Sequence, residues 1–143
     1  GPTARPRSEI AGIAMEQDYF VKAKGLGVLS TAGDDGKVNA AGFSRPHTMD
    51  DGALGFIMPE RLTWANLQAN GHASYLFKEE GQGWHGVRLH LTRVRVEDDQ
   101  ALIGKLRRRV YDADEEKKMK PLHLVCFRVD QELPLVGAGT PHG

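Results

Sequence analysis

The residues most suited to chemistry lie in the stretch LGFIMPERLTWANLQANG (54–71), where an apolar run stops at Pro59 and a short helical pattern follows. The N-terminus of a helix presents N–H groups without intrahelical partners and a partial positive charge, so it attracts anions. Arg61 adds a guanidinium able to hold phosphate through two parallel hydrogen bonds, and Thr63 adds a hydroxyl at the expected N-cap. The stretch therefore predicts an anion site; the alternative is a capped helix beside a solvated arginine.

The histidines and the cysteine do not form a metal-binding pattern. His85 and His90 are an odd number of residues apart on or beside a predicted strand, so their side chains point to opposite faces. Cys126 is the only cysteine, which excludes an internal disulfide and a cysteine-based zinc site. Its apolar neighbours predict an inert core residue. No metal site is predicted.

The composition bounds the kinds of partner. Lys and Arg together number 19, as do Asp and Glu, so the formal net charge of zero favours neither nucleic acid nor an anionic membrane. The apolar runs are too short to span a bilayer. A chain of 143 residues is expected to form one domain, 1–143, in the cytoplasm. Residues 1–7 are expected to lie outside the folded part or to derive from a tag.

Hydrophobic periodicity and turn residues predict the elements that position these groups. A first helix is expected at 8–25, with Ser8 as its N-cap and Gly25 as its end, and further helices at 63–69 and 98–111. Six strands are expected at 26–31, 38–45, 54–58, 72–78, 87–96 and 122–130. The strands are short and mostly joined by turns, which predicts an antiparallel sheet closed into a barrel.

Two strands and one helix carry further information. Apolar residues occupy odd positions up to Leu91 and even positions from Val94, so a bulge or bend is expected near Thr92–Arg93. The last strand is apolar on both sides. One face is therefore expected to pack in the barrel and the other against a helix or a second subunit.

The basic run KLRRR (105–109) is interpreted as a solvated helix face paired with nearby acidic residues.

The order and spacing of these segments resemble the pyridoxamine-phosphate-oxidase-like flavin-binding split-barrel family. Within it, the chain is similar to the short single-domain members such as the bacterial FMN-binding proteins. The resemblance is carried by LGVLSTAGDDGKVNAAGF, DDGALGFIM, ANLQANGHASYLF and GWHGVRLHLTRVRVEDDQ. It implies a mainly β fold, a six-stranded antiparallel split β-barrel with flanking helices. It also implies a homodimer in which each FMN lies in a cleft at the dimer interface.

Residue by residue, the resemblance implies a cofactor site built from four segments. One side of the flavin ring would lie against Asn39, Ala40, Ala41 and Gly42, whose small side chains allow close approach. The ring or ribityl chain would be edged by Ile57, Met58 and Pro59, and the phosphate would be surrounded by Arg61, Leu62, Thr63 and Asn66. Trp84 and His85 would approach the cleft; the alternatives are an aromatic that seals the hairpin and a polar loop residue. Many relatives carry a lysine where this chain has Leu62, which leaves Arg61 as the side-chain cation of the loop.

The resemblance leaves three kinds of function open. The first is a flavin-dependent oxidoreductase acting on an unknown small-molecule substrate, in which FMN supplies the chemistry. The second is a non-catalytic FMN-binding electron carrier. The third is a split-barrel dimer that holds another cofactor, a deazaflavin or haem, or none, and Leu62 in place of lysine favours it. No catalytic side chain is identified.

Overall fold

The computed structural model describes residues 19–107 and 121–137, and this part of the chain is mainly β. In chain order its elements are α1 (Tyr19–Lys22), β1 (Gly25–Ala32), β2 (Val38–Gly42), β3 (His47–Thr48), β4 (Leu54–Pro59), α2 (Leu62–Ala69), β5 (His72–Glu79), β6 (Gly86–Glu97), α3 (Gln100–Arg107) and β7 (Leu122–Pro134). Neighbouring strands are antiparallel, in the sheet order β2-β1-β5-β6-β7-β4-β3. The predicted antiparallel sheet is confirmed, with seven strands instead of six.

The additional strand is β3, which consists of His47 and Thr48 and pairs with Gly55 and Leu54 of β4. Two residues are too few to show an alternation of apolar and polar side chains, so the sequence pattern carries no signal for this strand. The strand before it also differs from expectation, because β2 ends at Gly42 and not at 45. The chain between β2 and β3 is therefore a loop, and it becomes part of the site described below.

The sheet curls, so strands that are distant in the sheet order touch through their side chains. Phe56 of β4 and Tyr75 of β5 are separated by β6 and β7, which in a flat sheet would hold them roughly 14 Å apart. Their ring centroids lie 4.8 Å apart. Buried side chains from five strands fill the enclosed core, among them Leu29, Phe56, Tyr75, Phe77, Leu89 and Phe127. In the described residues the outermost strands β2 and β3 do not pair with each other, so the barrel is split there.

The predicted change of phase in the fifth predicted strand is confirmed. The register between β6 and β7 shifts between Arg93 and Arg95, which leaves one extra residue on β6. Leu91 and Val96 consequently both pack against the barrel core, although one is at an odd and the other at an even position. A second shift lies between His90 and Leu91. These irregularities bend the longest pair of strands around the barrel.

The two apolar faces of β7 have separate partners within the chain. Val125, Phe127 and Val129 point into the barrel core. Leu122, Leu124 and Cys126 form a second cluster with Ile103 of α3. Of the two expected partners for the outer face, a helix or a second subunit, the structure shows the helix. The apolar pattern of β7 therefore gives no independent argument for a dimer.

The ends of the helices differ from the prediction. Helix α1 ends at Lys22 and not at Gly25, which is the first residue of β1; a Cβ at Gly25 would lie 2.0 Å from the Lys78 carbonyl oxygen of the paired strand. Helix α2 starts at Leu62, one residue earlier than predicted. The rest of the predicted first helix, 8–18, and the end of the predicted 98–111 helix lie outside the described residues. Asp99 caps α3 by accepting hydrogen bonds from the first-turn backbone. No helix in the described ranges combines the length and apolar character needed to cross a membrane.

Candidate functional site

A cavity of about 320 Å³ lies at the split of the barrel. Its walls are formed by the strands β2 and β4, the loop between β2 and β3, the start of α2 and the end of α3. Its lining consists of Asn39, Ala41, Gly42, Phe43, Ser44, Arg45, His47, Phe56, Ile57, Met58, Pro59, Arg61, Leu62, Thr63 and Arg107. The volume is within the usual range of small-molecule sites.

One wall of the cavity is a strand edge that has no neighbouring strand. Strand β4 pairs with β7 along its whole length, but it pairs with β3 only at Leu54 and Gly55. The following residues, 56–58, therefore have no second strand partner among the described residues, and they line the cavity. An unpaired strand edge offers backbone donors and acceptors to whatever lies beside it. A ligand in the cavity can use them.

The loop between β2 and β3 is held firmly against the barrel. The Phe43 N–H donates to the Gly27 carbonyl at 3.0 Å, and the Tyr75 hydroxyl donates to the Phe43 carbonyl at 3.1 Å. Burial raises the pKa of Tyr75 well above its usual range, so the hydroxyl remains a donor at all physiological pH values. Gly27 is required here, since a Cβ would lie 2.0 Å from the Tyr75 hydroxyl oxygen. The loop is thus a fixed wall.

Arg45, which also lines the cavity, is partly occupied by the backbone. Its Nη1 donates to the carbonyls of Val21 and Ala23, in the segment around the end of α1. This guanidinium therefore ties the loop to the chain that leads into β1. It remains a positive charge at the cavity wall.

The N-cap residue of α2 is not the one that the sequence predicts. Arg61, and not Thr63, is the N-cap, with an extended backbone (φ −126°, ψ −157°) and no capping hydrogen bond from its side chain. The reason is a tight turn, in which the Arg61 N–H donates to the Pro59 carbonyl at 2.9 Å, so the helix starts at Leu62. Thr63 is instead a buried residue of the first helical turn. The uncapped first turn faces the cavity and can bind an anion.

The described residues that line the cavity carry positive charge. They include Arg45, Arg61 and Arg107 but no Asp or Glu. Within the ranges 19–107 and 121–137, no group of three or more His, Cys, Asp or Glu is placed to hold a metal ion. The donor set, guanidinium and backbone N–H, therefore fits a phosphate or another anion.

Arg107 is the main residue that the sequence analysis missed. The run KLRRR was interpreted as solvated, but Arg107 is 3% exposed and lines the cavity. It lies four residues after the buried Ile103, one helical turn further on, so it faces the protein. That spacing was visible in the sequence and could have identified it.

Helices α2 and α3 pack with different side chains of β4. Phe56 and Met58 belong to the barrel core, to which Leu67 of α2 also belongs. Ile57, between them, packs against the cluster that contains Ile103 of α3. Arg61 at the start of α2 and Arg107 at the end of α3 both line the cavity.

The structure gathers most of the predicted site residues around this cavity. Those that line it are Asn39, Ala41, Gly42, Ile57, Met58, Pro59, Arg61, Leu62 and Thr63. Those that do not are Ala40, Asn66, Trp84 and His85. Asn66 is buried and its Nδ2 donates to the Thr31 hydroxyl at 3.1 Å, which joins α2 to β1. Trp84 is 72% exposed in the loop between β5 and β6, beside the exposed His85. Their roles toward a cofactor stay predictions.

The chain is similar to known proteins both in its sequence, through a family model, and in its fold, through solved structures. Residues 13–133 match a family model described as pyridoxamine 5'-phosphate oxidase. Among curated proteins none matches the chain. A solved FMN-binding protein from Syntrophomonas wolfei subsp. wolfei has a TM-score of 0.71 at 16% identity, over 89% of this chain and 88% of that one.

Two further solved structures share the fold. An F420 reductase has a TM-score of 0.60 at 18% identity, over 82% of this chain and 96% of that one. HupZ of Group A Streptococcus has a TM-score of 0.64 at 16% identity, over 87% of this chain and 97% of that one. At these identities the likeness shows a common fold.

Proposed function

The chain belongs to the pyridoxamine 5'-phosphate oxidase family, and on this premise we propose that it binds FMN in the cavity at the split of the barrel. The observation that carries the proposal is the lining itself, in which three arginines and a helix N-terminus lie at a cavity whose described residues include no Asp or Glu. A dianionic phosphate is the natural occupant of such a site. The FMN-binding protein that shares the fold supports the choice of flavin.

The residues present fit the parts of FMN. The uncapped start of α2 and Arg61 would hold the phosphate. The flat ring would lie between β2, where Ala41 and Gly42 leave room for close approach, and the unpaired edge of β4. Arg107 would place a further positive charge beside the ligand. When bound, FMN supplies hydride and single-electron chemistry.

We infer that the reaction is a flavin-dependent oxidation or reduction of a small molecule. In this reaction the residues of the chain bind and orient the flavin. Residues 19–107 and 121–137 contribute no carboxylate to the lining, so no residue of this part of the chain is given the role of a general base. The loop from Phe43 to Arg45 and the side chains of β4 would exclude water from one face of the ring. A non-catalytic electron carrier would use the same contacts.

A homodimer is part of the proposal. Trp84 is 72% exposed, and Leu62, at the cavity, is 58% exposed. Exposed large apolar side chains of this kind are typical of a surface that another subunit covers. The loop with Trp84 and His85 of one subunit would then complete the cavity of the other.

The test is the absorbance of the purified chain after incubation with FMN and gel filtration with light scattering. The expected result is a flavin spectrum that elutes with a particle of twice the chain mass. Stopped-flow reduction of the bound flavin by nicotinamide nucleotides then separates an oxidoreductase from a carrier. A colourless protein that releases all added FMN would refute the proposal.

Two other results of the absorbance test would indicate a different cofactor. Retention of a deazaflavin in preference to FMN would favour the second candidate cofactor, which the fold shared with an F420 reductase supports. A Soret band would indicate haem. A monomer that retains FMN would remove the roles given to Trp84 and His85.

A further inference from the structure

One histidine outside the cavity connects three parts of the chain. His123, on β7, stacks on Trp64 of α2 with ring centroids 3.9 Å apart and an angle of 13° between the planes. Its Nε2 lies 2.7 Å from a carboxylate oxygen of Glu60, in the turn between β4 and α2. Its Nδ1 is in contact with a carboxylate oxygen of Asp98, which precedes α3. We call this arrangement the His123 clamp.

The clamp requires a protonated ring. A carboxylate only accepts hydrogen bonds, so both ring nitrogens must carry hydrogen to satisfy Glu60 and Asp98 at once. Burial of the ring opposes the charge, but the hydrogen bonds to Asp98 and Glu60 outweigh it and raise the pKa of His123. In the described residues these two carboxylates are the charged groups that act on the ring. Helix α2 contributes the uncharged Trp64 and strand β4 the uncharged Met58.

The clamp holds the turn that carries Arg61. Glu60 is the middle residue of this turn, which is closed by the hydrogen bond from the Arg61 N–H to the Pro59 carbonyl. Both flanking residues line the cavity. Trp64 lies in the first turn of α2, so the stacked ring also fixes the helix N-terminus. When His123 is neutral, one carboxylate loses its donor, and the charge of Glu60 beside the cavity is no longer compensated.

We propose that His123 is a positioning residue for the anion site, which binds an anionic group tightly when the ring is protonated and weakly when it is neutral. The proposal rests on the proposed function, since FMN is the anion expected there. The direction of the pH dependence follows from the clamp. The hydrogen bonds of His123 to both carboxylates are complete at low pH, and one is lost as the ring is deprotonated at higher pH. The phosphate of FMN titrates in the opposite sense, because its second proton is lost near pH 6 and the dianion binds better. The two effects are therefore separable.

The first experiment needs no flavin. The chain has two tryptophans, so Trp84→Phe leaves Trp64 as the reporter. A protonated imidazole stacked on an indole quenches its fluorescence. Emission should therefore rise with pH, with a midpoint above the usual histidine value of about 6.5. The same titration in a Trp84→Phe, His123→Gln variant should be flat. A flat curve with His123 present, or a midpoint below about 6.5, would overturn the clamp.

The second experiment couples the clamp to binding. FMN and riboflavin are titrated at about pH 6.5 and about pH 9 against the wild-type chain, His123→Gln and Glu60→Gln. Between these values the wild-type dissociation constant for FMN should rise about tenfold, the loss of one charge-assisted contact, and that for riboflavin should stay constant. His123→Gln should bind FMN weakly at both values.

Glu60→Gln tests the clamp with a variant that is expected to fold, because the Glu60 side chain is about half exposed and the change keeps its size. It should lower the midpoint of the Trp64 titration and reduce the pH dependence of FMN binding. An equal pH dependence in the wild-type chain and His123→Gln would overturn the positioning role. If the wild-type chain binds no FMN at either pH, the proposed function and the coupling both fail. The fluorescence titration still decides the clamp.

Discussion

Removal of the Arg61 side chain is the sharpest perturbation of the proposed phosphate site. Arg61 is the N-cap of α2 and lines the cavity, but its side chain is exposed and reaches the site from the solvent side. Hydrogen bonds to charged groups contribute roughly 1.5–3 kcal/mol, and solvent screening places an exposed guanidinium at the lower end. A loss of about 1.5 kcal/mol corresponds to roughly tenfold weaker FMN binding in Arg61→Ala. Riboflavin has no phosphate, so its affinity should not change.

The assay is a titration of both flavins by fluorescence quenching, with two further variants. Leu62→Lys adds a cation at a position that is 58% exposed and lines the cavity, so it should tighten FMN binding but not riboflavin binding. Arg128→Ala is the matched control, because Arg128 is an exposed arginine outside the lining and pairs with Asp130. It should change neither affinity.

Two results would refute the reasoning. Equal losses for FMN and riboflavin in Arg61→Ala would mean that the arginine shapes the turn and not the phosphate site. Unchanged FMN affinity would mean that the guanidinium is a solvated surface charge, as the alternative interpretation of the sequence has it. In either case the start of α2 would cease to be the anion site.

Buried groups elsewhere in the barrel give three further expected outcomes. Gly27→Ala would place a Cβ 2.0 Å from the Tyr75 hydroxyl and should lower the unfolding free energy by roughly 3 kcal/mol in urea titrations; an unchanged midpoint would contradict it. Ile103→Ala, at a side chain that is 1% exposed, should cost about 2–4 kcal/mol, measured by calorimetry, unless α3 is not packed as described. Burial raises the pKa of Cys126 to about 11, so the thiol should resist alkylation at neutral pH until urea unfolds the chain.

The sequence predicts the barrel well because strand pairing follows a strict period. The change from odd to even positions between Leu91 and Val94 requires an extra residue, and β6 has it. The apolar faces of β7 likewise require two partners, which are the barrel core and α3. Where no period exists the prediction fails: β3 has two residues, and the end of α1 depends on how closely Gly25 approaches β5.

The site is predictable where it is local in the chain. The predicted residues Ile57, Met58, Pro59, Arg61, Leu62 and Thr63 line one cavity, because a strand, a turn and a helix start are adjacent in sequence. Their role toward a cofactor stays a prediction. The N-cap assignment was wrong by two positions, since the turn from Pro59 to Arg61 depends on backbone geometry that residue types do not fix. Arg107 and His123 reach the α2 entrance and cavity from elsewhere in the chain. Their positions depend on packing, which a single sequence does not determine.

Under the proposed function, the split of the barrel is a ligand site and not a packing defect. A free strand edge exposes unpaired backbone groups, and proteins usually cover such an edge or pair it. Here the residues of β4 without a second strand partner line the same cavity as Arg61 and Arg107. A bound FMN is flat and anionic, so it would cover the edge of β4 and bring its phosphate close to cationic side chains.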